Sequence, residues 1–141
     1  MATLQPFLRL RLARDAARLF HSSASHRQHY INPSIHDFDR IVLNGARDRV
    51  VLVDFHAEWC GPCHQLSPIL RKLTTERTTP SGSQLDLVTI DVDGDEGSEL
   101  SQKYSQVRAL PTVVAFRGGQ ILDQFVGALN EGGVTKFLDK F

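Results

Sequence analysis

The run Val50-Val51-Leu52-Val53-Asp54-Phe55 constrains the fold more than any other stretch. It is rich in β-branched residues and does not alternate apolar with polar, the pattern of a strand buried on both faces. A strand of that kind needs covering layers on both sides of its sheet. The flanking chain offers them in order. Tyr30-Ile31 reads as a short strand ended by Pro33. Ser34-Ile35-His36-Asp37 has the Ser-x-x-acid form of a helix start. Phe38, Ile41 and Val42 follow at helical spacing, and Asn44-Gly45, a pair tolerant of left-handed φ, is the expected stop.

Beyond the central run, Leu66, Ile69, Leu70 and Leu73 mark a second helix, with a kink expected at Pro68. Residues 85–90 form the next strand. Leu100, Tyr104 and Val107 define a third helix and its exit. Residues 113–117 and 120–126 read as two strands joined at Gly118-Gly119, the second half-covered. Asn130 can cap a last helix carrying Val134, Phe137, Leu138 and Phe141. Parallel strand–helix–strand units come first and a hairpin last. This order predicts an α/β fold with a mixed five-stranded sheet flanked by about four helices.

Length and charge narrow the function classes. The 141 residues suit one domain, and no apolar run reaches the roughly 20 residues that span a bilayer. The formal net charge is zero but unevenly divided. Residues 1–27 carry Arg9, Arg11, Arg14, Arg18 and Arg27 against Asp15, whereas residues 28–141 carry the acidic excess. A nucleic-acid binder would keep its positive charge in the folded domain. The basic segment, rich in Ala, Leu and Ser and interrupted by arginine where a secretory signal needs an apolar centre, fits a mitochondrial transit peptide. Arg18 to Ser23 resembles a matrix-processing site, and Phe20 to Arg27 an octapeptide removed by a second peptidase. The domain is therefore expected over 28–141, with a mature start near Gln28 and a location in the mitochondrial matrix.

The only two cysteines, Cys60 and Cys63, lie three apart in Trp59-Cys60-Gly61-Pro62-Cys63, between the central strand and the second helix. Two such cysteines cannot make a disulfide framework, and the loop they close is too short to stabilise much by chain entropy. The pair reads as chemical rather than structural. Other readings lack parts. Cys60-Gly61-Pro62-Cys63-His64 matches a c-type haem attachment pattern, but the only methionine is Met1. Zinc held by the thiols with His56 or His64 would lack a second ligand pair. Asp91-Val92-Asp93-Gly94-Asp95-Glu96 has glycine in the wrong place for a calcium loop. A non-catalytic interaction module would have no use for both thiols.

From about Tyr30 to Phe141 the chain resembles the thioredoxin family. Three separated motifs carry the resemblance: Val-Asp-Phe-His-Ala-Glu-Trp-Cys-Gly-Pro-Cys at 53–63, Val-Arg-Ala-Leu-Pro-Thr at 107–112 and Phe-Arg-Gly-Gly at 116–119, followed by Val126-Gly127. With the basic leader, the resemblance is to the mitochondrial members. It implies a monomeric protein-disulfide reductase. Cys60, at a helix N-terminus that favours the thiolate, would attack the client disulfide, and Cys63 would resolve the mixed disulfide. Asp54 would relay the proton of Cys63 from a buried position. Pro111 would be a cis proline turning the Leu110 backbone towards the site, an edge on which an extended substrate pairs. Pro62 would stiffen the dithiol turn. Trp59, Gly61, Leu110, Gly127 and Ala128 would form an apolar docking rim. No Gly-rich dinucleotide loop follows a strand, so no bound cofactor is expected; by the resemblance, electrons would come from NADPH through thioredoxin reductase, and clients would include peroxiredoxins and methionine sulfoxide reductases.

Three residues depart from the family's pattern. His64 stands where Lys or Arg is common and is expected to make Cys60 reactivity depend on pH where an imidazole titrates. His56 stands where an aromatic is common. Leu87 occupies a place where some members carry a lysine close to the buried acid, so the Asp54 pKa is expected to lie higher here than with that amine present.

Overall fold

The computed structural model describes residues 27–104 and 107–141. Most of the expected transit peptide lies outside the described residues. The elements run β1 (His29–Ile31), α1 (Ile35–Phe38), β2 (Arg49–His56), α2 (Gly61–Glu76), β3 (Gln84–Asp91), α3 (Asp95–Tyr104), β4 (Thr112–Arg117), β5 (Gln120–Val126) and α4 (Glu131–Leu138). They form one mixed five-stranded sheet in the order β1-β3-β2-β4-β5. β2 lies at its centre, parallel to β3 and antiparallel to β4. This is the architecture that the order of elements and the family resemblance imply.

The two-sided burial of β2 follows from its side-chain alternation. Val50 and Leu52 pack on one face with Leu66, Leu70 and Leu73 of α2 and Val134, Phe137 and Leu138 of α4. Val51, Val53 and Phe55 pack on the other with Phe38, Val42 and Leu100. Each such side chain contributes about 1.5–3 kcal/mol of burial. At the start of β2 and β3, Arg49 Nε donates to Asp86 Oδ2 at 2.6 Å, and a second guanidinium nitrogen reaches Oδ1. The Gln28 backbone N–H donates to that same Oδ1 at 2.8 Å, tying the beginning of the domain to its centre.

Three local expectations change. Ser34 caps α1 as predicted, its Oγ accepting from the Asp37 N–H at 3.1 Å. The helix then continues as a π-helical turn over Asp39–Leu43, which helical spacing alone does not distinguish. Asn44 ends it with φ of −105°, outside the left-handed region, and its Nδ2 donates to the Asp39 carbonyl at 3.0 Å. Gly45 is required for room: a Cβ there would lie 2.2 Å from the Ile41 carbonyl oxygen. The helix α2 runs from Gly61 to Glu76 with Pro68 inside it, at the position where a kink is expected. In β5 a register shift opposite Ala115 and Phe116 interrupts the alternation, leaving Ile121, Leu122 and Val126 exposed while Phe125 packs on the core.

Candidate active site

The strand β2 delivers the chain into a turn at Ala57, where the Cys60 N–H donates to the Ala57 carbonyl at 3.1 Å. Cys60 is then the N-cap of α2, with extended backbone and its Sγ accepting from the Cys63 N–H at 3.3 Å. Pro62, in the first turn, lacks an amide hydrogen where none is needed. Sγ of Cys60 thus sits at the positive end of a sixteen-residue helix. One turn on, Cys63 faces back towards it, and the two form a disulfide. Both are buried in this oxidised state; the difference between a more accessible Cys60 and a hidden Cys63 is only 4% against 2% exposure.

The disulfide packs with Ala57, Val92 and Leu110. Leu110 arrives from the far side of the sheet, and the Leu110–Pro111 peptide bond is cis. The Gly127 N–H donates to the Pro111 carbonyl at 2.8 Å, and Gly127 has φ of +94°, which favours glycine. The start of β4 and the end of β5 are thereby fixed beside the dithiol. Trp59 stands out at the surface, 72% exposed, as do Gly61 and Pro62. Its indole Nε1–H donates to Asp93 Oδ2 at 2.8 Å. Asp93 belongs to the Asp91-to-Glu96 run, in which glycine is misplaced for a calcium loop. Nothing in the sequence pairs it with Trp59.

Asp54 is fully buried. By strand alternation it shares the face of Val50 and Leu52, beneath α2. Neither carboxyl oxygen has a hydrogen-bond partner among the described residues. Burial alone pushes its pKa from 3.8 up to about 7. Thr89 stands opposite it on β3, and Val113 on β4. Leu87 lies one same-face position back, opposite Leu52, and is itself buried. The expected lysine site is thus filled by an apolar side chain.

The two departing histidines lie apart from the Leu110 side of the disulfide. His64 Nε2–H donates to the Glu58 carbonyl at 2.8 Å. His56 ends β2 on the face of Asp54. Both line a groove that reaches Cys63, whereas Cys60, the thiol to which His64 was expected to couple, does not line it.

A strand-to-helix junction bearing a vicinal cysteine pair defines a thiol–disulfide oxidoreductase of the thioredoxin fold. The comparisons with known proteins agree. Residues 30–140 match the family model described as Thioredoxin, and the chain belongs to the thioredoxin family. Thioredoxin of Malassezia sympodialis is 38% identical over 94 residues, covering 67% of this chain and 84% of that protein. The mitochondrial thioredoxin of Mus musculus is 38% identical over 104 residues, covering 74% of this chain and 57% of that protein. Mitochondrial thioredoxin-2 of Schizosaccharomyces pombe is 46% identical over 83 residues, 59% of this chain and 56% of that one. Among solved structures, the Malassezia sympodialis thioredoxin superposes with a TM-score of 0.64 at 31% identity, covering 82% of this chain and 90% of that one. A thioredoxin mutant from Halobacterium salinarum gives 0.66 at 29% identity, covering 81% and 90%.

The buried acid makes stability depend on pH. In the unfolded chain Asp54 ionises near 3.8, and in the fold near 7. The folded state therefore holds a proton that the unfolded state releases between those values, and stability falls as pH rises through that window. At 1.36 kcal/mol per pH unit the full cost is up to about 4 kcal/mol above pH 7. Replacing Asp54→Asn is expected to raise stability by that order at pH 8 and to leave it nearly unchanged at pH 4. Urea unfolding at the two pH values checks this; an equal effect at both would contradict it.

Proposed function

We propose that the protein is a protein-disulfide reductase of the mitochondrial matrix, working through Cys60 and Cys63. The observation that supports it best is Cys60 at the N-terminus of α2, following the strand that carries the buried Asp54, whose oxygens have no partner among the described residues. In the reduced protein the Cys60 thiolate attacks one sulfur of a client disulfide. The client's S–S bond breaks, and the first client thiolate leaves and takes a proton from solvent. Asp54 accepts the Cys63 proton, for which a pKa near neutrality suits it. The Cys63 thiolate then attacks Cys60 Sγ. The Cys60–Cys63 disulfide forms, the mixed disulfide breaks, and the second client thiolate leaves. Two electrons have passed from the dithiol to the client.

The client docks on the surface around the disulfide. Trp59, Gly61 and Pro62 are exposed beside it, Leu110 packs on it, and Pro111 and Gly127 hold each other in place. An extended client segment pairs along the backbone at Leu110. Thioredoxin reductase restores the dithiol with electrons from NADPH, and peroxiredoxins and other disulfide-containing proteins are the clients.

Residues 1–27 act as the transit peptide. The mitochondrial thioredoxins among the relatives support that reading, as does the position of Gln28, whose N–H is already seated on the Asp86 carboxylate. The protein recovered from mitochondria is expected to begin near Gln28 by intact mass. Recovery with residues 1–27 still attached would contradict the assignment.

The activity itself is read by NADPH consumption with thioredoxin reductase and insulin as the disulfide substrate. Cys60→Ser is expected to abolish turnover. Cys63→Ser is expected to stop after one attack and accumulate client mixed disulfides at Cys60. Equal turnover in wild type and Cys60→Ser would overturn the proposal.

A further inference from the structure

The groove behind the disulfide has a volume of about 360 Å³, and Cys63, Thr89, His56 and His64 line it together with Glu58 and Arg71. Neither Cys60 nor Leu110, on which the client docks, lines it. Its floor adjoins the acid that the proposed reaction uses. Thr89 is the cross-strand partner of Asp54, and Cys63 is the thiol whose proton Asp54 takes. Asp54 has no exposure to solvent and no hydrogen-bond partner among the described residues. A proton accepted there has to leave before the acid can act again, and apolar side chains close most directions around it.

We infer that His56 is the proton exit of Asp54, carrying protons between the buried carboxyl and solvent through this groove. The inference rests on the reading of Asp54 as the base for Cys63. His56 is two residues further along β2, so both side chains leave the same face of the strand. Their Cα atoms are about 6.7 Å apart at the usual rise per residue, a gap that two facing side chains close directly or through one water. Asp54 is fully buried and His56 half-buried, so the pair runs from core to surface. The strand end is fixed, because the Val92 N–H donates to the His56 carbonyl at 2.9 Å. The imidazole makes no hydrogen bond with the described residues, unlike that of His64, whose Nε2–H is committed to the Glu58 carbonyl.

The step balances without a co-reactant. The protonated Asp54 carboxyl gives its proton to one ring nitrogen of neutral His56, and the other ring nitrogen releases one to water. Re-reduction of the disulfide runs the same path inward, supplying the proton that the leaving Cys63 thiolate takes. The charged and titratable groups facing this path are Glu58 from the turn, His64 and Arg71 from α2, Asp91 opposite His56 on β3, and His29 of β1 beyond Thr89. His56 touches no reacting sulfur. It acts through Asp54.

The test follows repeated turnover of the full chain in weak buffer, read by NADPH consumption with thioredoxin reductase and a saturating peptide disulfide. His56→Ala is expected to slow turnover about tenfold, below the range usual for a general acid or base because His56 relays for one. Added imidazole is expected to restore the rate. His56→Gln, which keeps the size of the side chain without a relaying ring, is expected to be slowed in the same way. Asp54→Asn is expected to be slow with no restoration by imidazole. A full rate in His56→Ala and His56→Gln, or a slow rate that imidazole leaves unchanged, would overturn the inference while leaving Asp54 as the base. A full rate in Asp54→Asn would overturn the reading beneath it.

Discussion

The burial of β2 on both faces is the constraint on which the rest of the structure depends. A strand covered by α2 and α4 on one side and by α1 and α3 on the other excludes water from Val50 to Phe55. Whatever polar group it carries is desolvated. Between its ends that group is Asp54, and among the described residues its oxygens have no hydrogen-bond partner and no charge offsets its burial. The same packing that holds the sheet together therefore creates an acid that titrates near neutrality. In the proposed reaction structure and chemistry are coupled at one residue, and the coupling costs stability at the pH where that chemistry runs.

The same strand also aims the chain at the dithiol. Its last residues enter the turn at Ala57, and the next helix begins at Cys60 with the sulfur at the N-cap. A shift of β2 by one residue would exchange its two faces, moving Asp54 away from α2 and Cys63. Register here is held by the apolar residues on both faces and by the Arg49–Asp86 pair at the strand start. The functional centre thus needs no dedicated scaffold. It is the carboxyl end of the central strand, where strands of such sheets commonly present their active groups.

Much of this was legible in the sequence because the signals were strong and local. Residues 50–55 announce a central strand by composition alone. Ser34 and Asn130 announce caps, and both accept the expected amide bonds. The dithiol and its position at a strand–helix junction needed only the motif. Other features were hidden for definite reasons. A π-helical turn differs from an α-helix by one residue per bond, and Phe38, Ile41 and Val42 fit either. The register shift in β5 depends on its pairing with β4, which no single strand reveals. The bond from Trp59 to Asp93 joins residues 34 apart through the sheet. The groove at His56 and His64 exists only once α2 has packed against β1 and β3.

Burial without compensation among the described residues poises Asp54. The most direct test is its titration in the oxidised protein, read from the carboxyl carbon shift of Asp54 by NMR between pH 4 and 9. A midpoint of about 7 is expected. A midpoint near 3.8, the ordinary value for an aspartate, would contradict it and would mean that a partner or water compensates the charge in the fold.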